Sequence, residues 1–144
     1  MPEPAFTTTD YLEQYKAYLG DLGNVGSRYA TSNGFFVSVL SALLTVLALA
    51  EHGKVLGEIP KPTLWVVCLF SCVLCLVWMA TIRFYRALFA AKFQVLWELE
   101  RKLPVQCFQL EYEKIGPKKH LLAIENYAPL VLLLLFVAIG ALGS

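Results

Sequence analysis

Cys68, Cys72 and Cys75 stand four and then three residues apart within one uncharged apolar run, the spacing that places side chains on one face of a helix. Thiolates so placed could take a soft metal, but a metal needs them ionised and oriented by polar groups. An apolar run supplies neither, so the three read as small packing residues, and with Cys107 they make no disulfide framework. His52 and His120 fall on opposite sides of the expected membrane and assemble no acid–base pair. Glu98 and Glu100, followed by Arg101 and Lys102, read as the exposed end of a helix. No glycine-rich phosphate loop follows a strand, and no nucleophile stands with a histidine and an acid. Neither enzyme activity nor a metal or other cofactor is expected.

A second group of residues suits a membrane boundary. Trp78, Arg83, Tyr85 and Arg86 gather where an apolar run ends, and Arg28 and Tyr29 occupy a similar level on another. Aromatic anchoring and snorkelling of Arg to lipid phosphate explain them. Glu125, beside Asn126, is expected either to pair with Arg28, Arg83 or Arg86 across helices or to lie exposed among headgroups. Gly34, Ser38, Ser41 and Thr45 recur at heptad spacing and form a small-residue face suited to tight helix packing in lipid, with a pore lining as the sharper alternative.

The elements that carry these residues follow from composition and periodicity. With 58% hydrophobic and 16% charged residues in 144, one small membrane domain is expected. Phe35 to Ala50 and Leu64 to Ile82 are uncharged and approach the roughly 20 residues that cross a bilayer. A net charge of +1 argues against nucleic acid as a partner. The opening Met-Pro-Glu-Pro is acidic, so no cleaved secretory signal is expected.

Thr7, Thr8, Thr9 and Asp10 are N-cap candidates, with Glu13 placed to close a capping box on Asp10. From there Tyr11, Tyr15, Tyr18, Leu22, Val25 and Tyr29 form a heptad seam whose phase continues through Ser32, Phe36, Val39, Leu43 and Val46. Gly20, Gly23, Gly26 and Gly34 each disfavour a helix by about 1 kcal/mol relative to Ala. They imply either close approach of another helix or a break near residues 20–26. On the second helix Cys72, Cys75, Met79, Ile82, Arg86, Phe89, Phe93 and Leu96 share one heptad phase.

The expected architecture is an all-α integral membrane protein: a long antiparallel hairpin running from membrane into cytoplasm, plus a third C-terminal transmembrane helix. Residues 10–33 form a cytoplasmic helix, 34–50 the first membrane helix, 51–62 an extracytoplasmic turn and 63–82 the second membrane helix. Residues 83–103 continue as cytoplasmic helix, 104–120 are a polar connector, and 121–142 are the third span or a re-entrant segment. Lys and Arg concentrate at residues 83–119, against Lys54 and Lys61 in the turn, which places the N-terminus and stalk in the cytoplasm.

At Glu13-Gln14-Tyr15-Lys16, Ser27-Arg28-Tyr29, Asn33-Gly34-Phe35-Phe36, Trp78, Arg83, Tyr85-Arg86, Lys92-Phe93 and Glu98 to Pro104, the chain resembles the RipA family of octameric bacterial membrane proteins. The match extends to Glu125 and Pro129, and Tyr29 departs from it where a second basic residue is expected. The layout is also similar to the two-helix SLATT effector membrane domains. The resemblance implies a bacterial inner membrane protein that assembles with itself, as an octamer, into a ring. The expected function is that of a non-enzymatic scaffold or membrane organiser in contact with lipid, with self-packing through Tyr15, Tyr18, Leu22, Gly34, Ser38, Ser41 and Thr45 and with Cys68, Cys72 and Cys75 as packing residues. A pore-forming channel or defence effector, and an accessory subunit of a membrane enzyme with its own protein partner, are the alternatives.

Overall fold

A computed structural model describes residues 7–51, 60–115 and 127–142. These form helices α1 (Thr8–Glu51), α2 (Lys61–Glu100), α3 (Cys107–Ile115) and α4 (Tyr127–Leu142), with no strand among the described residues. The protein is an all-α membrane protein in which α1 and α2 are long and apolar enough to cross a bilayer. His52, His120, Glu125 and Asn126 lie outside the described residues.

Helix α1 starts one turn before the expected box. Thr7 is the cap: its Oγ1 accepts from the Asp10 N–H at 3.3 Å, while Asp10 Oδ2 accepts from the Thr7 N–H at 2.8 Å. The reciprocal bonds satisfy amides that have no partner within the helix, and the Thr7 hydroxyl and amide together hold the Asp10 carboxyl below the usual range. The helix then runs unbroken through Gly20, Gly23 and Gly26, so the expected alternative of a break there does not occur. In α2, Pro62 falls in the first turn, where a missing N–H leaves no helical bond unmade. Turns at residues 101–103 and Pro104 end it.

Two compact units share α1 and α2. In the first, residues 7–29 of α1 lie antiparallel to residues 84–100 of α2, as the contacts of Tyr15 with Glu100 and of Asp21 with Lys92 require, and α3 packs beside them. Its buried core includes Val25 and Leu96. In the second, residues 30–51 and 60–83 are again antiparallel, with α4 packed on α2. Its core comprises Phe36, Leu40, Leu47, Cys68, Cys75, Trp78, Ile82 and Phe136.

The buried row of α1 drifts from the heptad phase read in the sequence. Val46 is 45% exposed and Leu47 is 4% exposed, so the seam has advanced by one residue. A straight helix of 3.6 residues per turn rotates about 20° per heptad against a 3.5 repeat. Over the five heptads from Tyr11 to Val46 that sums to roughly one residue's turn.

Candidate functional site

The membrane unit is held by small and aromatic contacts. Trp78, expected as a boundary anchor, is instead a core residue at 4% exposure: its indole N–H donates to Asn33 Oδ1 at 2.8 Å and its ring stacks on Phe36 at 5.9 Å between centroids. An indole buried in an apolar setting needs such an acceptor. Cys68 and Cys75 are buried and Cys72 is half-buried. Gly140 of α4 meets Cys68: a Cβ built on the glycine would stand 3.6 Å from the Cys68 Cβ and 3.8 Å from the Trp65 ring. Cysteine thus serves as a small side chain that admits a neighbouring helix. The hydroxyls of Ser71, Thr45 and Thr81 donate to carbonyls one turn earlier on their own helices, at 2.8, 2.8 and 2.9 Å.

The stalk unit centres on Glu100, which is 1% exposed rather than the exposed helix end expected. Its Oε1 accepts from the Tyr15 hydroxyl and the Phe108 N–H, both at 2.9 Å, and its Oε2 accepts from the Gln109 N–H at 3.3 Å. The carboxylate therefore ties α1 to α2 and caps the amino end of α3, where the helix dipole favours negative charge. Burial and this bond to Glu100 push the Tyr15 phenol well above its ordinary pKa. Lys92 pairs with Asp21, the pairing raises its pKa, and its ammonium lies 4.8 Å from the centre of the Tyr18 ring. Lys102 is similarly placed 4.6 Å from the Tyr11 ring. Tyr29 packs on Tyr85 and Phe89 at 5.2 and 6.0 Å, so an aromatic cluster stands where a second basic residue was expected. Tyr15 and Tyr18 thus make contacts inside the protomer, where Leu22 is half-buried.

Two further surfaces emerge. Phe93 and Trp97 of α2 with Phe108, Glu111 and Tyr112 of α3 line a groove of about 180 Å³. The buried Trp97 Nε1 has no acceptor among the described residues. On α1, the face opposite the seam is exposed and small. In the stalk it presents Ala17, Gly20, Asn24 and Ser27, and in the membrane unit Thr31, Gly34, Ser38, Ser41, Thr45 and Ala48, all in one heptad phase. Among the described residues, a Cβ at Gly20 or Gly34 would meet nothing within 4 Å. Arg28 and Arg83 are exposed and Arg86 is half-buried. No cluster of three or more His, Cys, Asp or Glu suited to a metal occurs among the described residues.

Residues 12–142 match the family described as the octameric membrane protein family (8xMP). No curated protein and no solved structure matches the chain.

Proposed function

This chain belongs to the octameric membrane protein family, and from that premise we propose that it acts as a non-enzymatic assembly in a bacterial inner membrane. Eight hairpins close into a ring through α1, with the N-terminus and stalk in the cytoplasm, and the ring serves as a scaffold that gathers partners or organises lipid. The excess of Lys and Arg around residues 83–119 supports that orientation. The observation that carries the reading is the unoccupied small-residue face of α1, with open space beside Gly34. Glycine in a helix is unfavourable unless something gains from the missing side chain. Nothing among the described residues does at Gly34, whereas a neighbouring helix would.

Gly34→Leu combined with Ser38→Leu fills that face without touching the protomer's own core. The expected result is a helical, detergent-soluble protein whose particle mass falls from eight copies to one or two. An unchanged mass would contradict this interface. Reconstitution in vesicles separates the scaffold from a conductive path: the scaffold predicts no ion flux, while flux abolished by Ser41→Leu would favour a channel.

A further inference from the structure

A ring built by repetition needs two different surfaces, one of which docks on the other in the next copy. The small face of α1 is one; the stalk carries the other. The groove between α2 and α3 is walled by Phe93, Trp97, Phe108 and Tyr112. Of these walls Tyr112 is 50% exposed. Such a cluster on the part of the chain outside the apolar runs marks a protein contact.

The level of the two surfaces fits. Within the stalk Tyr15 touches Glu100 while Tyr18 and Asp21 touch Lys92. Phe93 and Trp97 therefore lie level with residues 15–21 of α1, which include Ala17 and Gly20. Rotation about an axis along the paired helices keeps every residue at its height, so neighbouring copies bring these two levels together. The shapes fit as well: a helix face lacking side chains lets its backbone sink between aromatic walls. Charge agrees, since the exposed Lys16 flanks Ala17 and the exposed Glu111 lines the groove.

We propose that the groove lined by Phe93, Trp97, Phe108 and Tyr112 in one copy receives the Ala17, Gly20 and Asn24 face of α1 from the next copy. This rests on the octameric reading and extends its interface from the membrane helices to the stalk.

The test places Ala17→Cys and Glu111→Cys in the full-length chain together with Cys107→Ser, all at exposed positions. Particle mass is measured under reducing conditions, and the protein is then treated with a short thiol-to-thiol crosslinker and run denatured. The expected result is a particle of eight copies and a crosslinked ladder climbing to eight, absent from the two controls that carry only one of the introduced cysteines beside the native Cys68, Cys72 and Cys75. An intact particle of eight with no ladder, or with dimers alone, overturns the groove contact and leaves the octameric reading standing. A reduced particle smaller than eight copies, with the unsubstituted protein equally small, overturns both.

Discussion

Glu100 shows how a residue's role depends on a partner that its own neighbourhood does not announce. Removing its side chain by Glu100→Ala leaves the Tyr15 hydroxyl and two amides of α3 without an acceptor. A buried donor left unpaired costs about 1–3 kcal/mol. The stalk should therefore lose roughly 3 kcal/mol in denaturant unfolding, and the amides of α3 should exchange faster. Tyr15→Phe removes one bond to a charged acceptor and should cost about 1.5 kcal/mol. The raised Tyr15 pKa fixes the sign of a pH effect. The folded state favours the protonated phenol, so its stabilisation is complete below the unfolded value of about 10 and is lost as pH rises beyond it. Unfolding midpoints of the native chain should fall above about pH 10, and Tyr15→Phe should flatten that fall. The sequence does place Glu100 four residues after Leu96, on the seam. Its charge outweighed its position because the donors that neutralise the cost of burial arrive eight and nine residues later.

At the scale of elements, the long helices were legible and the short one was not. Runs of heptad-spaced Tyr, Leu and Phe outweigh the helix cost of Gly20, Gly23 and Gly26, so α1 is continuous. The nine residues of α3 have only a short apolar face. The residue before it is Gln106, with no Ser, Thr, Asp or Asn there to signal a cap. The cap is Glu100, supplied by another helix, which local sequence reading has no means to detect. The apolar character of α4 was plain, but its contact through Gly140 was not, because one glycine among leucines gives no direction. Its 16 described residues reach about 24 Å, short of the roughly 30 Å hydrocarbon core. Gly140→Ala adds a methyl at an ordinary contact distance and should leave the thermal midpoint nearly unchanged. Gly140→Leu should force α4 from Cys68 and Trp65, lowering the midpoint and increasing labelling of Cys68 by a lipid-soluble thiol reagent.

For the whole molecule, exposed apolar residues are as informative as the core. Val66, Leu69, Phe70, Val73, Leu76 and Val77 of α2 are all exposed, as are Val131, Leu134 and Val137 of α4. In water such a surface would aggregate, whereas in a bilayer it is solvated by lipid tails or covered by neighbouring helices. The sequence made the membrane and the hairpin legible because both depend on composition and periodicity along one chain. It made self-association legible as a row of small residues suited to helix packing, Gly34, Ser38, Ser41 and Thr45, together with the Tyr15, Tyr18 and Leu22 seam, but not the surface that would meet them, because a contact between copies leaves no pattern along one chain. The heptad phase alone also misplaced the far end of the seam, where accumulated helical rotation brings Leu47 inward in place of Val46. The central claim is that the small face of α1 closes a ring of eight. Its most direct test is the mass of the detergent-solubilised particle, by light scattering with the detergent contribution subtracted, for the native chain and for Gly34→Leu with Ser38→Leu. The account predicts eight copies for the first and one or two for the second; a native monomer or dimer, or eight copies in both, would contradict it.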